Sequence, residues 1–218
     1  MGDCIREIIA AIEGDISGRE LPVSKLICKW KGEPFKILAT VMLSSRTKDE
    51  VTAQAANRLF SAAPCIKSIQ RLSLPKIESL IRPVGFYKTK AKNLKKMVEV
   101  INLEFGGRVP DKIEDLVILP GVGRKTANLV VSEAFGKAGI CVDTHVHRIA
   151  NRLGYVSTKT PYETEIVLRK KLPKIYWKTI NKTLVLFGQK TCRPISPKCG
   201  ICPVSGFCKR VGVNSGRK

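Results

Sequence analysis

The 218-residue chain has no apolar run approaching the ~18 residues that a membrane-spanning helix needs. Its start, Met1-Gly2-Asp3-Cys4, has no hydrophobic signal segment either, so a cytoplasmic protein with no membrane partner is expected. The chain is also short of acid. Eighteen Asp and Glu stand against 39 Lys and Arg, a formal charge of +21, and such an imbalance calls for a polyanionic partner, nucleic acid before an anionic membrane. No segment alternates apolar and polar residues as a half-buried strand does, and no unit repeats at solenoid length, so the expected class is all-α. Nothing resembles a flavin or nicotinamide site. What is present is ample apolar content, 44%, enough for a core in one large domain or two small ones.

The most informative stretch is Leu119-Pro120-Gly121-Val122-Gly123-Arg124-Lys125-Thr126-Ala127, with Val142-Asp143-Thr144-His145 some way downstream. Two glycines one residue apart permit a tight turn and leave backbone N–H groups bare at a helix start, where an anion such as phosphate can approach. Lys125 stands in the first turn of that helix beside Arg124, where extra positive charge is disfavoured. That placement suits a nucleophilic amine able to form a Schiff base. Gly-x-Gly is common in ordinary turns, and a lysine after it is usually only solvated. The combination with an alanine-rich helix and a later isolated acid is what makes the stretch unusual. Asp143 precedes Val146, Ile149, Ala150 and Leu153 at helical spacing, so it reads equally as a capping carboxylate and as a catalyst, and one residue can serve as both.

In chain order, Ile5, Ile8, Ile9 and Ile12 predict a short amphipathic helix that must pack on something else. Pro34 opens a core helix, and Thr47 with Glu50 predicts a capping box for the next. Pro75 starts another helix, and Phe86 and Tyr87 follow in a turn. Lys88, Lys90, Lys92, Lys95 and Lys96 then line a helix whose apolar side is Ala91, Leu94, Val98 and Ile101. A charged run is ordinarily a solvated face, but the aromatic pair in front of it favours a DNA-facing edge. Asp111 is expected to cap a short helix ending at Leu119. Thr160, Pro161 and Glu163 form a second capping box, and a last helix is expected over about Tyr176 to Phe187.

Four of the eight cysteines, Cys4, Cys28, Cys65 and Cys141, are scattered among apolar residues and read as buried structural thiols. The other four, Cys192, Cys199, Cys202 and Cys208, follow Cys-x6-Cys-x2-Cys-x5-Cys within seventeen residues. Four thiolates so close suit one metal centre. Zinc and a cubane iron–sulfur cluster are both compatible with them, since zinc ribbons usually pair two Cys-x2-Cys units and only one is present. Arg193, Lys198, Lys209 and Arg210 make the same loop a basic projection.

Taken together, the helix-hairpin-helix stretch, Val-Asp-Thr-His and the 6-2-5 cysteine loop resemble the endonuclease III family of DNA glycosylases, from about Lys36 to Arg210. The resemblance implies a two-lobed all-α fold: a six-helix barrel over 27–137, and a cluster lobe made from 1–26 and 138–218, with the active site in the cleft between them. It implies Lys125 as nucleophile, Asp143 as catalytic carboxylate, and Cys192, Cys199, Cys202 and Cys208 as ligands of a [4Fe-4S] cluster. It also implies DNA contacts from Ser45, Arg46, Phe86, Tyr87, Gly121, Val122, Gly123, Arg124, Arg193 and Lys198, Phe86 being the wedge that enters the opposite strand. A lysine at position 125 points to a bifunctional glycosylase and abasic-site lyase acting on oxidised pyrimidines in damaged double-stranded DNA. Uracil or thymine opposite guanine is the alternative target. A nucleoid-associated monomer of a prokaryotic cell is expected. The departure is Arg46, where relatives commonly carry glutamine. A guanidinium that filled the place of the extruded base would favour an orphaned guanine, through O6 and N7; a phosphate contact is the competing reading. Two other classes fit part of the chain: a structural nucleic-acid-binding protein leaves Lys125, Asp143 and the cysteines idle, and a redox or radical enzyme leaves the hairpin and the charge idle.

Overall fold

The computed structural model describes residues 4–213, and among them every regular element is helical. In chain order the α-helices are α1 (Ile5–Asp15), α2 (Pro22–Lys29), α3 (Pro34–Ser44), α4 (Asp49–Ala62), α5 (Ile66–Arg71), α6 (Leu74–Ile81), α7 (Tyr87–Glu104), α8 (Ile113–Leu116), α9 (Arg124–Phe135), α10 (Thr144–Leu153), α11 (Pro161–Lys171) and α12 (Ile180–Lys190). The chain divides into two compact units, one of Leu21–Gly139 and one of Met1–Glu20 with Ile140–Lys218.

The Leu21–Gly139 unit holds α2 to α9, of which α5 and α8 are short pieces of six and four residues, leaving six longer helices. Their starts follow local chemistry. Pro22, Pro34 and Pro75 each stand in a first helical turn, where a missing N–H costs nothing. Helix α3 is the centre of this unit: Phe35 and every residue from Ile37 to Leu43 are buried, and it packs on α2, α4, α7 and α9. Apolar residues all round a helix are the mark of a fully interior one. At one edge of this core, Trp30 meets the Phe60 ring edge-on at 4.9 Å, a favoured aromatic geometry.

In the other unit α1 lays Ile5, Ile8, Ile9 and Ile12 inward and packs on α12, while α10 packs on both α11 and α12. The isoleucine helix thus finds its partner at the far end of the chain. Asp15 fastens it there, accepting from Lys190 Nζ at 2.7 Å and Thr191 Oγ1 at 2.9 Å. Burial opposes ionisation of Asp15, but these partners hold its carboxyl below the usual range.

Several local expectations are corrected. Of the four scattered cysteines, Cys141 is buried, but Cys28 and Cys65 are exposed and Cys4 is half-buried. A boundary between 26 and 27 cuts α2, whose Val23, Leu26 and Ile27 all belong to the Leu21–Gly139 core. Thr47 makes no capping box: Lys48 precedes α4 without a side-chain cap, and the Thr47 hydroxyl is committed to Gly85 N and Lys90 Nζ. Asp111 does not cap α8, which begins after Lys112 and ends at Leu116; it pairs instead with Lys137 at 2.7 Å. The last helix starts at Ile180, after a separate turn of 3-10 helix at Lys174–Tyr176. Tyr87 opens α7 rather than lying in the turn before it.

Candidate functional site

The hairpin around Lys125 is built from two glycines with different duties. Gly121 has φ +81°, and a Cβ there would come within 2.9 Å of Asn93 Nδ2, so the fold itself requires glycine. Gly123 has an ordinary φ of −91° and open space around its missing side chain. It is the N-cap of α9 and offers no side chain to the first turn. Between the two glycines Val122 is buried and anchors the turn, while Gly121, Gly123, Arg124 and Lys125 face solvent. The turn therefore presents the positive end of a twelve-residue helix, with Arg124 and Lys125 as its first two residues. Buried Asn128 donates to Arg124 O at 3.0 Å, one turn further in.

A residue that the motifs do not mark joins this end. The carboxyl of Asp49, the first residue of α4, is pushed up by burial and by Glu50, with Lys125 acting in the opposite direction. Lys125 thus has an acidic neighbour within its own unit. The sequence signal was slight: Asp49 is one acid in the run Lys48-Asp49-Glu50.

In the same unit the structure brings together Ser45, Arg46 and Phe86. Arg46 and Phe86 are both exposed and both have left-handed backbones, at φ 52° and 57°. The Arg46 guanidinium lies 5.6 Å from the centroid of the Phe86 ring, a cation–π distance. Tyr87, by contrast, is turned inward. It packs against the core, Arg82 lies over its ring at 4.7 Å, and its hydroxyl accepts from Arg82 at 2.5 Å. The lysine face of α7 also divides. Lys88, Lys92 and Lys96 are exposed, Lys95 donates to Leu72 O at 2.7 Å, and Lys90 is 7% exposed. The signal for Lys90 was there to be found, since it falls in the stripe of Leu94, Met97 and Ile101 at helical spacing.

In the second unit Asp143 is the N-cap of α10. One carboxylate oxygen accepts from His145 N at 2.8 Å and from Val146 N at 3.0 Å. The capping reading is therefore realised, with a partly buried carboxylate at the positive end of a ten-residue helix. The α10·α12 crossing beside it is tight, since a Cβ on Gly188 would meet His145 Nδ1 at 2.4 Å.

The same α10 reaches the cysteine loop. Cys192, Cys199, Cys202 and Cys208 all line one cavity, whose walls include Ile149, Leu153 and Phe187. Burial pushes the Cys202 and Cys208 thiols up, and the neighbouring cysteines add to it; a bound cation reverses that logic by taking thiolates. Four soft donors around an apolar cavity fit an iron–sulfur cluster, and the protein supplies the outer contacts such a group takes. Arg152 donates to Cys192 Sγ at 3.5 Å, and Arg210 N to Cys208 Sγ at 3.4 Å. Arg152 also donates to Arg193 O at 2.6 Å and Pro194 O at 2.8 Å, which ties the loop to α10. Arg193 and Lys198 are both exposed on this loop.

Residues 39–174 match the family described as HhH-GPD superfamily base excision DNA repair protein, and residues 192–208 match the iron–sulfur binding domain of endonuclease III. The chain belongs to the endonuclease III family. It is 42% identical to endonuclease III of Thermotoga maritima over 177 residues, covering 81% of this chain and 83% of that one. It is 41% identical to endonuclease III-like protein 1 of Bos taurus, covering 88% and 67%. Against endonuclease III homolog 2, chloroplastic, of Arabidopsis thaliana it is 42% identical, covering 92% of this chain and about half (52%) of the relative. Among solved structures, a trapped endonuclease III–DNA covalent intermediate with an estranged adenine is 32% identical, with a TM-score of 0.83 over 96% of both chains. A thermostable thymine-DNA glycosylase is 26% identical, with a TM-score of 0.81 over 94% and 95%. The protein is accordingly a base-excision DNA glycosylase and abasic-site lyase whose cofactor is an iron–sulfur cluster. Its all-α class and the helix-hairpin-helix fold stand as the sequence led one to expect. Relatives from a bacterium, a chloroplast and cattle leave a prokaryotic source unmarked. Among the described residues no helix is long and apolar enough to cross a membrane.

Proposed function

We propose that this protein removes oxidised pyrimidines from duplex DNA as a monomer and then cleaves the strand, with Lys125 as the nucleophile and Asp143 as the proton-transfer group. The observation that carries this reading is the placement of Lys125 as the second residue of α9, two positions after Gly123, a glycine the fold does not require. A bare helix start binds a backbone phosphate through its N–H groups, and a phosphate held there sets the sugar beside the lysine. Gly121, Val122, Gly123 and Arg124 form that phosphate seat. Arg193 and Lys198 supply further phosphate contacts.

The chemistry follows from those groups. The damaged nucleotide leaves the stack at a cost of a few kcal/mol, about the least for a poorly stacked base. Lys125 Nζ bonds to C1′ as the bond from C1′ to the base nitrogen breaks, and the base departs with that electron pair and takes up a proton. Asp143 stabilises the positive charge that develops on the sugar and relays protons. Opening of the sugar ring gives an imine. Loss of a proton from C2′ then expels the 3′ phosphate from C3′, and hydrolysis of the imine returns the amine. Cys192, Cys199, Cys202 and Cys208 hold a [4Fe-4S] cluster, which supplies a rigid, charged core to the basic loop.

A second reading, excision of uracil or thymine opposite guanine, is supported by the likeness to the thymine-DNA glycosylase and by a guanidinium at position 46. The deciding experiment is an incision assay over duplexes bearing an oxidised pyrimidine, uracil or thymine opposite guanine, or an abasic site, with borohydride present. Wild-type protein gives a covalent adduct on the abasic and oxidised-pyrimidine duplexes, and Lys125→Ala gives none. Trapping that survives loss of Lys125 assigns the nucleophile elsewhere, and cleavage confined to the mispairs favours the second reading.

A further inference from the structure

Helix α7 carries Lys88, Lys92 and Lys96 on a solvent face, while Lys95 is half-buried. Lys90 is buried, and its ammonium donates to three oxygens of a single segment: Leu43 O at 2.8 Å, Thr47 Oγ1 at 3.1 Å and Ser45 O in a short contact. That segment is the last turn of α3 and the connection to α4, and it contains Arg46. A second tie crosses from the turn before α7, where Gly85 N donates to Thr47 Oγ1 at 3.1 Å. The two backbones approach so closely that a Cβ on Gly85 would stand 2.6 Å from Arg46 O. Arg46 itself and Phe86, the residue after Gly85, carry the two exposed side chains that meet, with the guanidinium over the ring at 5.6 Å. Both residues hold left-handed backbones, which non-glycine residues keep only where the surroundings impose them.

We infer that Lys90 is a positioning residue: it staples the Leu43–Thr47 segment to α7 and so presents Arg46 and Phe86 as one preassembled element to the duplex. This rests on the glycosylase reading above and adds what holds its DNA-entering tip in shape. An exposed arginine and an exposed phenylalanine on two separate loops would each have to be ordered on binding, and the staple removes most of that cost beforehand. Burial holds the Lys90 amine down to about 8, so the ammonium remains the main form at neutral pH and all three acceptors are met. A buried lysine of this kind contributes little to the counterion-release interaction with DNA, in contrast to Lys88, Lys92 and Lys96.

The test is a double-mutant cycle on single-turnover cleavage of an oxidised-pyrimidine duplex, using Lys90→Met, Arg46→Ala and the pair. Two further readings accompany it: thermal melting, and the salt dependence of binding to undamaged duplex. Lys90→Met should lower the rate about tenfold or more in the wild-type background and under about threefold when Arg46 is already alanine, as expected for residues acting as a unit. The salt slope should not change. If Lys90→Met does not fold, Thr47→Val, which removes the hydroxyl shared by Gly85 and Lys90, carries the same cycle in the same direction. Equal losses in both Arg46 backgrounds, or a salt slope reduced by about one, as for a phosphate contact, would overturn the staple. Wild-type protein that neither cleaves nor is trapped overturns the glycosylase reading and the staple together, whereas cleavage with uncoupled losses overturns the staple alone.

Discussion

The two hairpin glycines can be separated by one methyl group each. At Gly121 an alanine must keep φ near +81°, a left-handed backbone that costs an ordinary residue about 1–2 kcal/mol. Its Cβ also lies 2.9 Å from Asn93 Nδ2 and 3.1 Å from Asn93 Cβ, so the asparagine must shift. Gly121→Ala should therefore lose about 2 kcal/mol or more, or about 4–8 °C in melting temperature for a chain of this size. At Gly123 the φ of −91° suits alanine and nothing stands within 4 Å of the added atom. Alanine is a poorer N-cap than glycine by about half a kcal/mol, and the stiffer unfolded chain returns about 0.4–1 kcal/mol. The two nearly cancel, so Gly123→Ala should melt within about 2 °C of wild type. What it does change is access, because the methyl stands over the start of α9 where a phosphate would sit. Affinity for a duplex containing a stable abasic analogue, read by fluorescence anisotropy, should fall about tenfold, the loss of one charge-assisted hydrogen bond. If Gly123→Ala binds as wild type does, no phosphate rests on that helix start, and the seat for Lys125 must be sought elsewhere.

Other consequences are checked more directly. Purified protein should be brown and carry about four irons per chain, measured by metal analysis; colourless protein with one firmly held zinc would replace the cluster with the other centre its thiols allow. Lys90 gives a pH signature. Its folded pKa of about 8 lies below its ordinary 10.5, so the unfolded chain holds more protons between those values and this group's contribution to stability rises with pH across that window. Urea unfolding of wild type against Lys90→Met at pH 7 and pH 10.5 should show a relative gain for wild type of at most about 3 kcal/mol, and a relative loss would contradict the burial argument. For Arg46, cleavage of one lesion opposite each of the four bases should be faster opposite guanine than adenine, and Arg46→Gln should narrow that bias. A uniform loss would mean the guanidinium holds a phosphate.

How legible the molecule was depended on whether a residue's partners lie near it in sequence. The helix starts at Pro34 and Pro161, the stop at Gly136 and the cap at Asp143 are local decisions, and the structure contains them all. The clearest failures are long-range. Thr47 has the local form of a cap, yet its hydroxyl meets Gly85 and Lys90, 38 and 43 residues away. Asp111 has the form of another and pairs across to Lys137. The lysine run looked like a uniform face because sequence alone does not reveal that the α3–α4 segment lies over Lys90. Helix α2 has only a weak local signal, since its eight residues carry three buried side chains. Spacing marks the four cysteines that line one cavity, but Arg152, which touches the Cys192 sulfur and two carbonyls of the same loop, has no signature beyond its place on α10.

Asp143 is where local structure and chemistry must be pulled apart, because the cap is visible and the catalysis is proposed. One oxygen of the carboxylate takes both N–H groups, from His145 and Val146. Asparagine ranks with aspartate as an N-cap, so Asp143→Asn should keep that geometry through its amide oxygen and lose at most a few tenths of a kcal/mol or so. Alanine keeps neither bond and should lose about 1 kcal/mol, roughly 2–4 °C in melting temperature. If the carboxylate only caps α10, activity should follow stability, with Asn close to wild type and Ala impaired by the modest loss of fold. If it stabilises the sugar cation and moves protons, both variants should be slower by about 10²–10⁴-fold, because neither carries the charge or the base. Asn must therefore be as inactive as Ala while melting like wild type. Single-turnover cleavage of an oxidised-pyrimidine duplex, measured well below either melting transition, separates the cases. An asparagine variant that cleaves within a few-fold of wild type would leave Asp143 as a cap and nothing more.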